Sequence, residues 1–252
     1  MKKKPSGFTL IEVLIVVAII AALAAIGGSL YKSSKQRAHQ AAALQKMKSL
    51  GSAFATYTVD KNGNLPLEDS TGSDDWTNSA KPENSEAWYN ALPKLMNAKT
   101  VGELGQTNPA GLYDEDHPLY ISGAPYPSKS KRLGNPVFAV GMNSRLQRKS
   151  GDSDVKKSGR FEQIQEPSKT VVLLERGLPN DKKTMPAQRG FDGSPKANAR
   201  AFAARHNQKG CLIFADGHAE LHLASDLITE GGSIIVPQKS IVWTLNPDDD
   251  PN

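Results

Sequence analysis

The chain has 252 residues, of which 38% are hydrophobic and 6% aromatic, and it carries a net charge of +5. Three of these charges belong to Lys2, Lys3 and Lys4, so the rest of the chain carries +2, too little to indicate a nucleic-acid partner. A single cysteine, Cys211, excludes an internal disulfide framework, and a mean hydropathy of −0.46 excludes a polytopic membrane protein. The length suffices for one substantial domain plus an extended element.

The most apolar segment lies near the N-terminus, where the run from Phe8 to Leu30 contains one charge, Glu12. As a helix rising about 1.5 Å per residue, this run is long enough to cross a bilayer core of about 30 Å. The preceding lysines favour a cytoplasmic N-terminus. The sequence therefore predicts a membrane-spanning helix over residues 8–30, with the C-terminal domain in the periplasm.

An ordinary secretory signal is the alternative, because small residues at Ala21, Ala22, Ala24 and Ala25 imitate a cleavage site after the apolar run. The position of Glu12 speaks against this alternative. An ionisable group inside a membrane helix costs about 2.5–3.5 kcal/mol on insertion scales and is usually functional.

The segment Gly7-Phe8-Thr9-Leu10-Ile11-Glu12-Val13-Leu14 resembles the leader junction of type IV pilins and pseudopilins. The resemblance implies that residues 1–7 form a leader peptide, which a prepilin peptidase removes after Gly7. It also implies that the new N-terminus, Phe8, is methylated. During assembly, Glu12 of one subunit would then pair with the N-terminal amine of its neighbour.

The same resemblance implies a structural subunit and no enzyme. Such a subunit polymerises with other pilin or pseudopilin subunits, on an inner-membrane assembly platform, into a type IV pilus or a type II secretion pseudopilus. The chain has no proline between Pro5 and Pro66 and no cysteine pair, and these features favour a pseudopilin-like subunit over a major pilin.

After residue 30 the pattern becomes amphipathic, with an apolar stripe at Leu44, Met47, Leu50, Phe54 and Tyr57. This pattern predicts one helix over residues 8–58. Residues 59–252 should form a periplasmic α+β domain, in which the long helix packs on a small antiparallel sheet with long loops.

Strands are predicted over residues 136–140, 170–174, 210–215 and 218–223, and Pro93 should limit residues 85–96 to short turns. The last two strands flank Asp216-Gly217, which indicates a hairpin with a two-residue type I′ turn. In that register, Phe214 lies opposite Ala219 and Leu212 opposite Leu221 on one apolar face. The other face then carries the remaining side chains: Cys211, Ile213, His218, Glu220 and His222.

Nine residues separate His206 from Asp216-Gly217. This spacing resembles the C-terminal signature of a processing-associated prepilin subfamily. We expect His206 to be structural, with its ring hydrogen-bonded to backbone at the hairpin turn.

No cofactor or metal is expected. Asp216, His218 and His222 alternate along a strand and are weak metal candidates, because same-side strand neighbours lie far apart for one ion. Calcium at residues 248–250, three consecutive aspartates, stays an open alternative to an acidic disordered tail.

A minor pilin for DNA uptake or adhesion is the second functional hypothesis. It would use basic residues of the soluble domain, namely Lys129, Lys131, Arg132, Arg145, Arg148, Lys149, Lys156 and Lys157. No aromatic residues alternate with them to stack on bases, so a solvated loop surface is the simpler interpretation and no nucleic-acid partner is expected.

Overall fold

The computed structural model describes six stretches of the chain: residues 9–68, 75–128, 130, 134–150, 153–157 and 159–252. Within them, the side chains of residues 24–29, 148–150 and 153–157 are not described. The fold is α+β, with one long N-terminal helix and a mixed five-stranded sheet.

The first helix, α1, runs without interruption over Leu10–Asp60. The sequence explains this length, because no proline interrupts it and Thr9 caps its N-terminus through a hydrogen bond from the Glu12 backbone N–H. The helix ends where Asn62 and Gly63 adopt positive φ angles of 52° and 84°. It therefore continues two residues beyond the predicted end at Thr58.

The C-terminal half of α1 packs on the body of the protein along the predicted stripe. Met47, Leu50, Phe54 and Tyr57 are buried, as predicted, whereas Leu44 is partly exposed at the edge of the stripe. This spacing of three and four residues places one helix face against the sheet.

Three shorter helices follow α1: α2 (Trp76–Ser79), α3 (Trp88–Leu95) and α4 (Val101–Thr107). The expectation that Pro93 would leave only short turns was wrong, since α3 forms eight residues with Pro93 inside it. The helix ends two residues later, so the proline limits its length and does not prevent it.

Seven strands are present in the described residues: β1 (Val140–Asn143), β2 (Arg148–Ser150), β3 (Ser153–Lys157), β4 (Val171–Glu175), β5 (Lys196–Ala197), β6 (Lys209–Phe214) and β7 (Ala219–Leu223). The main sheet has the order β5-β1-β4-β6-β7, and β2 pairs with β3 separately. All neighbours are antiparallel except β1 and β5, which run parallel, so the predicted purely antiparallel sheet was wrong in this pair. The first predicted strand also starts later, at Val140 and not at residue 136.

The β6–β7 hairpin has a three-residue loop and not the predicted two-residue type I′ turn. The backbone N–H of Phe214 donates to the carbonyl of His218 at 3.0 Å, and Gly217 alone has a positive φ, 91°. A three-residue loop with its last residue in a left-handed conformation is a common hairpin connection. The pairing is therefore shifted by one residue, with Ile213 opposite Ala219.

The shift changes which hairpin side chains face α1. Cys211, Ile213, Ala219 and Leu221 join the cluster that contains the α1 stripe, contrary to the predicted faces. Leu212 and Phe214 lie in a second cluster on the other side of the sheet. Both faces of β6 are consequently buried.

The C-terminal segment covers the second face of the sheet with Ile234, Ile241 and Trp243. The expectation that residues 248–250 form a disordered tail was wrong, because hydrogen bonds attach this segment to the preceding chain. Gln238 donates to the carbonyl of Asp249 at 3.0 Å, and the amide oxygen of Asn252 accepts from the Ile234 backbone at 2.7 Å.

The hairpin loop contacts α1 through backbone at two glycines. A Cβ atom added to Gly51 of α1 would lie 2.1 Å from the carbonyl oxygen of Gly217, and one added to Gly217 would lie 3.0 Å from that of Gly51. Gly217 is thus required both for its positive φ and for its approach to the helix. No side chain fits between helix and loop at this point.

The substitution Gly51→Ala should lower the free energy of unfolding of the detergent-solubilised chain by about 1–3 kcal/mol, because the new methyl group must displace the hairpin. Helix propensity alone would favour alanine over glycine by up to about 1 kcal/mol. The control is Ser52→Ala at the next, exposed position, which should be neutral or slightly stabilising. A stabilising Gly51→Ala in denaturant titrations would contradict the contact.

Candidate functional site

The N-terminus of α1 carries the charged residue that the sequence singled out. The carboxylate of Glu12 accepts hydrogen bonds from the backbone N–H and the hydroxyl of Thr9, both at 2.7 Å. These bonds and the Thr9 cap form a reciprocal capping box at the exposed start of the helix. Gly7 and Phe8, the predicted cleavage and methylation residues, lie outside the described residues.

The segment around Glu12, from Leu10 to Tyr31, exposes its described apolar side chains on all sides of the helix. Exposed fractions range from 52% at Ile15 and Val16 to 84% at Leu10. The exposed large apolar residues of this segment are Leu10, Ile11, Val13, Leu14, Ile15, Val16, Val17, Ile19, Ile20, Leu23, Leu30 and Tyr31. An apolar patch of this extent on a folded chain marks an interaction surface.

Within the described part of the chain, no helix combines the length and the apolar character needed to cross a membrane. The membrane-spanning helix over residues 8–30 stays a prediction.

His206 lies in the interior at the base of the β6–β7 hairpin, and its side chain is 2% exposed. Its Nε2 atom is 3.0 Å from Oε1 of Glu175, whose side chain is fully buried at the end of β4. The other carboxylate oxygen of Glu175 accepts from the Cys211 backbone at 3.3 Å. The ring thus bonds to a carboxylate and not to the turn backbone that we predicted, while the His206 backbone pairs with Lys209.

Arg205 forms a second buried contact beside this pair. Its guanidinium donates to both carboxylate oxygens of Asp181, with Nε at 3.0 Å from Oδ1 and Nη2 at 2.6 Å from Oδ2, and also to the carbonyl of Arg176. Together, Arg205 and His206 attach the segment before β6 to the end of β4. This arrangement gives His206 a positioning role in the fold.

The weak metal candidates have other partners in the structure. The ring of His218 stacks on Phe214 with 4.4 Å between the ring centroids, and its Nδ1 lies 2.5 Å from Oδ1 of Asp216. Burial lowers the pKa of His222, although the nearby carboxylates of Glu220 and Asp226 act to raise this pKa. Among the described residues, no three His, Cys, Asp or Glu side chains are placed to share a metal ion.

An open pocket of about 410 Å³ lies between the loops around Pro136 and Gly193. The one ionisable residue of its described lining, Asp192, forms an ion pair with Arg176. The pocket therefore offers no nucleophile with an adjacent base.

Most of the basic residues that the minor-pilin hypothesis would use have side chains that the structure does not describe. Lys129, Lys131 and Arg132 lie outside the described residues. The side chains of residues 148, 149, 156 and 157 are also outside the described part, and Arg145 is exposed.

Sequence reasoning missed two residues that support the hairpin, Gly51 and Glu175. Gly51 follows Leu50 of the apolar stripe, and a single glycine in a helix does not indicate that a loop packs against it. Glu175 is more conspicuous, because it follows the apolar strand Val171–Leu174 directly and is itself followed by Arg176. A charge that continues a buried strand indicates a buried partner.

The His206–Glu175 contact predicts strong energetic coupling. His206→Ala should lower the free energy of unfolding by about 2–4 kcal/mol, since the carboxyl group of Glu175 loses its buried partner. In denaturant titrations, the double variant with Glu175→Gln should lose at least about 1 kcal/mol less than the sum of the single variants.

The control cycle uses Glu220→Gln and His222→Ala, a more exposed pair on β7 at 3.5 Å, whose coupling should stay below about 1 kcal/mol. Strict additivity at His206 and Glu175 would show that the two side chains do not support each other.

Comparison with known families gives a match at the N-terminus. Residues 2–28 match the model of the prokaryotic N-terminal methylation motif. No curated protein and no solved structure matches the chain. The matched segment contains Gly7, Phe8 and Glu12 and does not extend to His206 or Gly217. The match supports a type IV pilin-like chain that is processed at its N-terminus and acts as a structural subunit.

Proposed function

We propose that the chain is a prepilin-like subunit, which a prepilin peptidase cleaves after Gly7 and methylates at Phe8. The mature subunit then polymerises with other subunits into a type IV pilus or a type II secretion pseudopilus. The observation that carries this proposal is the methylation motif over residues 2–28, which includes the start of α1 with its exposed apolar side chains.

The exposed part of α1 needs a partner, because water is a poor environment for so many apolar side chains. In the proposed cycle the partner is first the inner membrane and later the same segment of neighbouring subunits. Before assembly the subunit spans the membrane once, with its N-terminus in the cytoplasm and residues 59–252 in the periplasm. The assembly platform then transfers it to the filament.

The capping box at Glu12 fits this cycle. The carboxylate already lies at the N-terminal end of its own helix, 2.7 Å from the Thr9 backbone N–H. A cationic amine of a neighbouring chain that comes to this end would meet a carboxylate in an apolar environment. Such a charge favours one subunit register over others, because any other register leaves it unpaired.

Intact-mass and N-terminal analysis of the chain from membranes of its native host should find a mature form that begins at methylated Phe8. Gly7→Val should leave the chain uncut, because the bulky side chain replaces the smallest residue at the cleavage point. The matched control is Ala22→Val, which would disturb a signal-peptidase site near residue 25 and should leave the product unchanged. A mature chain that starts after the alanines would overturn the proposal.

Glu12→Gln should leave the chain in the membrane fraction and reduce the assembled filament at least about tenfold, because tenfold corresponds to about 1.4 kcal/mol and the lost ion pair lies in an apolar setting. Glutamine keeps the size of the side chain and its capping hydrogen bonds, so the change isolates the charge. Sheared filament is measured against total subunit by immunoblot. The control Glu220→Gln removes one exposed carboxylate from the body and should assemble normally; equal assembly of both variants would contradict a role for the Glu12 charge.

A further inference from the structure

Charge is distributed unevenly along α1. Between Glu12 and Asp60 the sequence has no Asp or Glu, whereas it has five Lys and Arg residues. Two of these, Lys46 and Lys48, lie beside the folded body, where Lys46 donates to the carbonyls of Asp116 and His117 at 3.1 and 3.0 Å. The other three follow directly after the apolar segment.

We define the basic collar as Tyr31, Lys32, Lys35 and Arg37. All four side chains are exposed, and within the described chain none of the three cations forms a hydrogen bond or an ion pair. Among the described residues, their positive charges therefore have no counterion.

The collar surrounds the helix. At about 100° per residue, Lys35 lies about 300° and Arg37 about 140° around the axis from Lys32. A protein or nucleic acid that docks on one side of a helix would require cations along that one side. Cations that point in different directions around the axis suit an environment that encloses the helix.

The collar lies at the depth of lipid headgroups if the apolar run ends at the membrane surface. At about 1.5 Å per residue, Lys32 is about 3 Å and Lys35 about 8 Å beyond Leu30 along the axis, and the long side chain of Arg37, at about 10 Å, is able to reach back toward the apolar run. The headgroup layer on each side of a bilayer is about 5–8 Å thick. Tyrosine at this level is also typical of membrane interfaces.

We propose that the basic collar binds the phosphate groups of anionic phospholipids in the periplasmic leaflet. This inference rests on the proposed function, which places residues 8–30 in the membrane. Removal of residues 1–7 takes away Lys2, Lys3 and Lys4, so the collar then carries all the cationic side chains that lie next to the apolar run. It then holds the mature helix at one depth from the periplasmic side.

The test uses the full chain in phosphatidylcholine vesicles that contain a minority of phosphatidylglycerol. A donor dye is attached to Ser34→Cys, and the native Cys211 does not compete because it is fully buried and burial raises the pKa of its thiol. Energy transfer to a labelled phosphatidylglycerol is compared with transfer to a labelled phosphatidylcholine. Resistance to alkaline extraction reports insertion separately.

The labelled phosphatidylglycerol should be enriched severalfold around the donor, since one basic side chain near an anionic surface changes partitioning about fivefold. The variant with Lys32→Gln, Lys35→Gln and Arg37→Gln should lose most of this enrichment, and added salt should weaken it in the native chain. The control variant removes three exposed lysines of the body, Lys182, Lys183 and Lys239, and should keep the enrichment.

Equal enrichment in the native chain and in the collar variant overturns the inference while leaving the proposed function intact. A second sample mixes donor-labelled with acceptor-labelled chains; if the collar variant loses energy transfer between these chains with no change in lipid enrichment, the collar is a contact between copies and the inference is likewise overturned. A native chain that alkaline extraction removes from the vesicles contradicts membrane insertion, and both proposals then fail.

Discussion

The structure depends on the backbone contact between Gly51 of α1 and Gly217 of the β6–β7 loop. A single added methyl group would lie 2.1 Å from the loop carbonyl, so helix and sheet approach as closely as their backbones allow. This approach lets the apolar stripe around Leu50 and Phe54 reach the sheet and form one cluster with Cys211 and Ile213. It also sets which part of α1 is covered and which part is left without a neighbour.

The hairpin that makes this contact is held at both ends. Its loop lies on α1, and its base is attached to β4 by the contact of His206 with Glu175, at 3.0 Å. Because the buried carboxylate also accepts from the Cys211 backbone, one side chain joins β4, β6 and the segment before β6. His206 and Gly217 thus act on the same hairpin from opposite ends, and their role is to position it.

The covered and uncovered halves of α1 have different physical tasks. The half near Met47 and Tyr57 contributes to the core, whereas the large apolar side chains described over residues 10–23 are exposed. The proposed function places its charged groups at the two ends of this apolar run, with the carboxylate of Glu12 near the start of the helix and Lys32, Lys35 and Arg37 just after the run. In the proposed filament, the folded body is the part that faces the surroundings.

The sequence by itself determined the features that rest on local patterns: the long helix with its stripe, the N-terminal motif around Gly7 and Glu12, and the existence of a hairpin at Asp216-Gly217. Helix periodicity, capping and turn composition depend on residues that are close in the chain, so they can be predicted without knowledge of the fold. The tertiary structure alone decided the hairpin register, the parallel pairing of β5 with β1, and the partner of His206. A one-residue difference in loop length exchanges the two faces of a hairpin. The pattern around His206 does not identify Glu175, 31 residues away in the chain, as its partner. These outcomes depend on packing between distant segments, which the local pattern does not contain.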